Sequence, residues 1–270
     1  MLYNCIVIIL SGIIEGFTEW LPVSSTGHML LFDKFMPMKM SESFKEAYFI
    51  LVQLAAVIAV IVIKRKQIMP INKVGGKISA RGEVVSMWLK VCVACLPGAV
   101  LVMLAGDTID TYLNTPVVIS VALIFYGVVF IFLERLSNTY VIKMTDISQL
   151  TYKKAFLIGL FQALSAVPGT SRSGATVTGG MCVGADRNTS SEFAFFMAIP
   201  VMAGMSVLKL IKIKFCFSSQ EISALLLGMA VSFVVSLFAI KFLTGFVKKH
   251  TFLPFGIYRI LLGITVLIAA

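Results

Sequence analysis

Residues 12–28 read Gly-Ile-Ile-Glu15-Gly-Phe-Thr18-Glu19-Trp-Leu-Pro22-Val-Ser24-Ser25-Thr26-Gly27-His28. Residues 159–176 read Gly-Leu-Phe-Gln162-Ala-Leu-Ser165-Ala-Val-Pro168-Gly169-Thr170-Ser171-Arg172-Ser173-Gly174-Ala-Thr176. Both follow one plan: Gly, two apolar residues, Glu or Gln, then Pro, one residue, Ser or Thr, and Ser. Carboxylates, an arginine, a histidine and hydroxyls are costly inside a bilayer, so their concentration in two related segments marks a site. The repetition points to a site shared by two halves of the chain.

The surrounding sequence supplies the bilayer. Of the 270 residues 59% are hydrophobic and only 13% charged, with a mean hydropathy of +0.96, far from the roughly 25% charged fraction of soluble domains. Apolar runs at about 47–63, 84–104, 117–133, 193–211, 222–243 and 252–270 each approach the ~20 residues that a spanning helix needs. Six spans are expected. The two polar segments, near 5–32 and 155–183, are long enough for two short helices each, broken by Pro22 and Pro168. They read as re-entrant hairpins, which must pack within protein or line a wet cavity because broken backbone cannot face lipid.

The repeat extends past the polar segments. Glu46-Ala-Tyr-Phe and Glu192-Phe-Ala-Phe follow at the offset of 146 that separates Pro22 from Pro168 (192 − 46 and 168 − 22). The fold class expected is therefore an all-α polytopic membrane protein with an inverted-topology repeat, each half a re-entrant helical hairpin plus three transmembrane helices. The chain forms one integral membrane domain, 1–270, with halves at about 1–136 and 150–270.

Loop charge orients it. The 64–81 segment carries Lys64, Arg65, Lys66, Lys73, Lys77 and Arg81 without an acid, whereas 105–116 carries Asp107 and Asp110 without a base. The positive-inside rule makes the first cytoplasmic and the second external. Continued alternation puts 134–154 (Arg135, Lys143, Lys153, Lys154) and 244–251 (Lys248, Lys249) inside and both termini outside. The net charge of +10 is explained by this topology and by lipid headgroups, so nothing argues for nucleic acid as a partner. The apolar start runs into Glu15 and Glu19 without a basic leader or cleavage site, which argues against a cleavable signal peptide. Cys92 and Cys95 have CxxC spacing inside an apolar helix beside Pro97; with no second pair, they read as packing residues, and Cys5, Cys182 and Cys216 are isolated. Gly75-Gly76 belongs to a short basic loop.

Four positions apart on a helix, Glu15 and Glu19 project from one face. Two adjacent negative charges in low dielectric require a proton or a cation between them, and a divalent ion suits hard oxygen ligands. The alternative is a pair of packing carboxylates bonded to hydroxyls or to Arg172. Ser24, Ser25, Thr26, Gly27 and His28 follow the first proline; hydroxyls and N–H groups at a helix start make a pocket for anionic oxygen. There His28 could act as general base, attack phosphorus or protonate a leaving oxygen, while Ser24 or Ser25 could simply cap a helix. Gly169, Thr170, Ser171, Arg172, Ser173 and Thr176 place a guanidinium fork among hydroxyls at the second break, a grip suited to phosphate. The two clusters together hold metal ligands, a nucleophile, an acid–base group and a charge-stabilising arginine, the parts of a phosphoryl-transfer site.

On Glu15-Gly-Phe-Thr-Glu19-Trp-Leu-Pro-Val-Ser-Ser25-Thr-Gly-His28 and Pro168-Gly-Thr-Ser-Arg172-Ser-Gly-Ala-Thr176, the sequence resembles the bacterial undecaprenyl-diphosphate phosphatases of the bacitracin-resistance type. These stretches match that family's glutamate-rich and PGxSRSxxT motifs. Similarity continues through Glu46 with Gln53, Ser191-Glu192-Phe193 and Pro254-Phe-Gly-Ile-Tyr-Arg259. Gln162 departs from its repeat partner Glu15, so only the first hairpin supplies paired acids. The resemblance implies hydrolysis of a polyprenyl diphosphate to the monophosphate carrier and inorganic phosphate on the outer face of the bacterial cytoplasmic membrane. It also implies recycling of that carrier for wall-polymer synthesis, bacitracin resistance, a magnesium or calcium ion, and membrane lipid as the medium, with a homodimer as a candidate assembly. The roles that go with it have Glu15 and Glu19 holding the metal and Arg172 with the hydroxyls of 170–176 gripping the diphosphate. Ser25, His28 or a metal-bound water is then the attacking group. A transporter or flippase of a lipid phosphate or small anion is the second reading, since secondary transporters use the same scaffold.

Overall fold

Alternate apolar runs and breakers produce ten α-helices among the residues that the computed structural model describes, 2–74, 77–137, 144–212 and 217–270. The first five are α1 (Leu2–Thr18), α2 (Ser25–Phe35), α3 (Glu42–Ile68), α4 (Gly82–Leu113) and α5 (Pro116–Ser137). The second five are α6 (Tyr152–Ala163), α7 (Arg172–Cys182), α8 (Arg187–Lys212), α9 (Ser219–Val247) and α10 (Leu253–Ala269). Gly75, Gly76, Lys143 and Cys216 lie outside the described residues.

Local chemistry sets the ends. The Ser41 hydroxyl accepts from Phe44 N–H at 3.3 Å to start α3, and Ser218 with Glu221 forms a capping box on α9. Prolines open α5 and the first turn of α10, where their missing N–H costs nothing. Pro97 and Pro200 lie inside α4 and α8, as membrane helices tolerate.

Five helices, α3, α4, α5, α8 and α9, are long and apolar enough to cross a membrane. The sixth expected span forms α10, whose 17 residues fall short of the other five. Two loops also depart from expectation. The acids of 105–116 sit on the last turns of α4, because the apolar helix runs on to Leu113 and leaves only a short turn before Pro116. The 64–81 segment begins as the end of α3 and continues as a two-stranded antiparallel ribbon, β1 (Ile71–Val74) with β2 (Lys77–Ala80), pairing Ile71 with Ala80. The all-α class holds apart from this ribbon.

Helices far apart in the sequence pack together. α1 packs on α9, α6 packs on α4, and α5 packs along α10. Apolar burial drives little association inside lipid, so close backbone approach matters. A β-carbon at Gly159 of α6 would land on the Ala94 carbonyl of α4, and any larger residue there would separate these helices. Ion pairs complete the frame: Lys64 of α3 bonds Glu192 of α8 at 2.6 Å, and Arg187 of α8 pairs with Glu134 of α5. One apolar core wraps the break between α1 and α2, with fully buried Trp20 edge-on to Phe195 at 5.8 Å and Leu21 and Val23 among Val60, Ile240 and Phe252.

The register of the two breaks differs by one from the proline offset. Ser24 and Ser171 are the matching N-caps (171 − 24 = 147), and α2 and α7, each of 11 residues, begin at 25 and 172. Pro168 is followed by two residues before its cap, Gly169 and Thr170, where Pro22 is followed by Val23 alone. The extra residue is absorbed at Gly169, which has φ +91° and whose β-carbon would sit 2.6 Å from the Ile119 carbonyl oxygen. Only glycine fits that position.

Candidate active site

The two breaks meet. Glu19, just past the end of α1, receives a hydrogen bond from the Ser25 hydroxyl on Oε2 at 2.7 Å. Its Oε1 lies 3.1 Å from Nη2 of Arg172. Arg172 also donates from Nη1 to the Ala194 carbonyl at 3.2 Å, and its guanidinium stands 5.9 Å from the Trp20 ring centroid. Its Nε is buried without a hydrogen-bond partner. Ser173 binds across to the first break, donating to the Leu21 carbonyl at 3.1 Å. Residues 153 positions apart thus share one contact because both breaks point inward.

A cavity of about 490 Å³ opens on this cluster. Its polar end is lined by Glu19, Ser24, Ser25, Thr26, Gln53, Gln162, Gly169, Ser171, Arg172 and Ser173. Its flanks are apolar, with Val102 and Met103 from α4 and Val201, Met205 and Leu208 from α8, and it extends to Asp110 and Asn114 at the end of α4. The first turns of α2 and α7 border the polar end, and helix N-termini favour bound anions. On α7 the Ser171 hydroxyl accepts from Gly174 N–H at 3.2 Å and sits 3.2 Å from the Ser173 hydroxyl. On α2 the Ser24 hydroxyl is buried with no partner.

The remaining residues singled out in the sequence are placed differently. Thr170 and Thr176 are buried outside the cavity lining, and Thr176 donates within its own helix to the Arg172 carbonyl at 2.9 Å. Glu15 is also outside the cavity lining, close to Glu19 and Gln53, with Oε1 buried and without a hydrogen-bond partner. His28 is outside the lining. Its Nδ1 lies 2.7 Å from the Ser24 carbonyl, which can only accept, so Nδ1 carries the proton and Nε2 accepts from the Tyr258 hydroxyl at 2.7 Å. The two rings stack at 5.5 Å. His28 therefore braces the break rather than contacting Ser25.

Arg259 is a functional residue that no motif in the sequence marks. This side chain of α10 is fully buried and donates to the carbonyls of Pro22 at 3.2 Å, Gly169 at 2.9 Å and Thr170 at 2.9 Å. A charge inside an apolar helix was the available signal.

For a divalent cation the donors are hard oxygens, in keeping with magnesium or calcium. Among the described residues no three His, Cys, Asp or Glu side chains cluster as a metal site. The paired carboxylates and the Gln53 amide would need hydroxyls, water or phosphate oxygens to complete a shell. The unpartnered Glu15 Oε1 fits such a use.

The chain matches a family described as bacitracin resistance protein BacA over residues 8–265. It is 48% identical over 262 residues to the undecaprenyl-diphosphatase of Enterococcus faecalis, covering 97% of this chain and 95% of the relative. Identity is 45% over 261 residues to that of Desulfitobacterium hafniense (96% and 94% covered). It is again 45%, over 256 residues, to that of Lachnoclostridium phytofermentans (95% and 93% covered).

Proposed function

Since the chain belongs to the bacitracin resistance protein BacA family, we propose that it is an undecaprenyl-diphosphate phosphatase. It releases inorganic phosphate and leaves undecaprenyl phosphate for another round of wall-polymer synthesis. The observation that carries this function is the Ser25–Glu19–Arg172 contact at the polar end of an otherwise apolar cavity. A diphosphate head fits the polar end, and a prenyl tail can leave between α4 and α8 along the apolar flank.

Ser25 is the nucleophile in this mechanism. Its hydroxyl proton passes to Glu19 Oε2 as Oγ attacks the terminal phosphorus, the phosphoanhydride bond breaks, and undecaprenyl phosphate departs with the bridging oxygen. Water then cleaves the phosphoserine, giving inorganic phosphate and restoring the hydroxyl. Arg172 turns its unpartnered Nε toward the charge developing on the phosphoryl oxygens. Proton transfer is assigned to Glu19 and not to His28, because Glu19 holds the Ser25 hydroxyl while His28 is engaged with Ser24 and Tyr258. Glu15 and Glu19, with Gln53, would hold a divalent cation, which would neutralise phosphate charge when bound.

The two halves form an inverted repeat in this reading. Reciprocal packing of α1 on α9 and α6 on α4 supports it, as do the matched caps at Ser24 and Ser171. With 11 residues each, α2 and α7 extend about 16 Å at ~1.5 Å per residue, half of a ~30 Å hydrocarbon core. The breaks then lie near the midplane as re-entrant turns. Extension of the cavity to Asp110, opposite in charge to Lys64, Arg65, Lys66 and Arg81, supports an opening on the external side, with both termini external.

Phosphate release from a defined polyprenyl diphosphate, with and without chelator, tests the activity; binding without release would favour the transporter. An impermeant thiol reagent should label a cysteine at Asp110 in intact cells and spare one at Arg81, in a background without native cysteines.

A further inference from the structure

Arg259 reaches into both breaks from outside either hairpin. Resting on the phosphatase reading, we propose that Arg259 is a positioning residue that locks the two reactive turns in register. Its Nη1 holds Pro22 of the first turn and its Nη2 holds both Gly169 and Thr170 of the second. Pro22 lies three residues before Ser25, and Thr170 two residues before Arg172. A guanidinium is the one side chain whose planar fork can span carbonyls from two separate turns at once.

Two further observations set this side chain apart from an ordinary buried ion pair. Arg259 has no carboxylate partner among the described residues, and its Nε is without a hydrogen-bond partner. Its contacts are backbone carbonyls and the Tyr126 ring, 5.9 Å from the guanidinium carbon. All three of its printed hydrogen bonds therefore go to the two turns. The hairpins hydrogen-bond to each other through Ser173 and the Leu21 carbonyl and through Arg172 and Glu19, and Arg259 adds a third tie that lets Ser25 and Arg172 face one phosphoryl group. A displacement of about 1 Å costs on the order of 100-fold in rate.

Lysine separates geometry from charge. Arg259→Lys keeps the positive charge and loses the fork, so kcat should fall about 100-fold while KM for the lipid stays within about threefold. Arg259→Gln should be at least as slow. The chain has two tryptophans, Trp20 and Trp88, and a Trp88→Phe background leaves Trp20, packed beside Arg172, as the only reporter of the first turn. In that background Arg259→Lys should shift Trp20 emission and its quenching by acrylamide well below the unfolding temperature. Tyr126→Leu, which loosens the seat of Arg259 without stranding its charge, should move both readouts in the same direction by a smaller factor. If Arg259→Lys or Tyr126→Leu is folded and merely melts earlier, with kcat, KM and Trp20 emission unchanged, Arg259 is only structural and the proposal is overturned. Loss of turnover in the parent enzyme itself would instead strike the phosphatase reading, and the Trp20 measurement would still decide whether Arg259 sets the turn.

Discussion

Ser24 and Ser171 hold the same positive-φ backbone, with φ of 72° and 70°, and each stands at the N-cap position of an 11-residue helix whose first residue, Ser25 or Arg172, belongs to the reactive cluster. They are the only non-glycine residues with positive φ among those described. Such a conformation costs on the order of 1–3 kcal/mol and persists where the surroundings impose it. Their side chains differ: Ser171 receives the Gly174 N–H, whereas the Ser24 hydroxyl has no partner.

Ser24→Gly should therefore stabilise the protein by about 1 kcal/mol, since glycine accepts positive φ freely and a buried unpaired hydroxyl disappears. Ser171→Gly should gain less, because it also loses a cap worth about 1 kcal/mol. Turnover should drop in the Ser24 variant as the hydroxyl leaves the cavity. Thermal unfolding in detergent, with phosphate release measured on the same samples, checks both. A Ser24→Gly protein that melts earlier than its parent would show that the turn is not strained.

Ser25→Ala should abolish turnover, and Glu19→Gln should reduce it by about 10²–10⁴-fold, the usual worth of a positioned base. The double variant should be scarcely slower than Ser25→Ala, because residues acting in one step are not additive. Rapid-quench experiments should trap phosphate on Ser25 in the parent enzyme. Independent, multiplying effects would separate Glu19 from the attack.

Much of this was legible in the sequence, for identifiable reasons. Charged and hydroxyl residues stand out against apolar runs, so Glu19, Ser25 and Arg172 could be picked out and their convergence argued from the repeat. Periodic apolarity likewise located the long helices. Their ends were less visible: Asp107 and Asp110 look like loop residues, yet α4 carries them as helix because nothing before Leu113 stops it. The register of the second break was hidden, since proline is the louder signal while the serine caps fix the geometry. His28 showed its chemistry and not its direction, which depends on Tyr258, 230 residues away. Arg259 lay in plain view as a charge in an apolar helix, but its partners are backbone carbonyls, which no sequence displays.

Removal of divalent metal should stop turnover. Glu15 and Glu19 are close neighbours, and Glu15 Oε1 is buried without a hydrogen-bond partner, so a cation would relieve the repulsion between the two carboxylates. Glu15→Gln should raise the metal concentration needed for half-maximal rate, with its folding intact because an amide keeps the shape. Activity that persists in excess chelator, with residual metal excluded by elemental analysis, would confine these carboxylates to packing and proton transfer.

Arg172 and Glu19 allow stability and catalysis to be separated. Their side chains are 10% and 9% exposed, so removing one partner strands a buried charge, which costs about 3–5 kcal/mol. Arg172→Met should accordingly lower both the melting temperature and turnover. Combined with Glu19→Gln, it should recover most of the stability, because neither charge is then left alone, and none of the activity, because both the base and the guanidinium that donates hydrogen bonds to the phosphate are gone. Arg172→Lys should lie between: a lysine can keep the ion pair but cannot hold Glu19 and the Ala194 carbonyl together while offering a further N–H to substrate. Its stability should approach that of the parent while turnover stays severely impaired. Normal turnover in Arg172→Lys would mean that a point charge suffices and that the fork has no part in gripping the diphosphate; failure of the double variant to regain stability would mean that Glu19 is held by something other than Arg172.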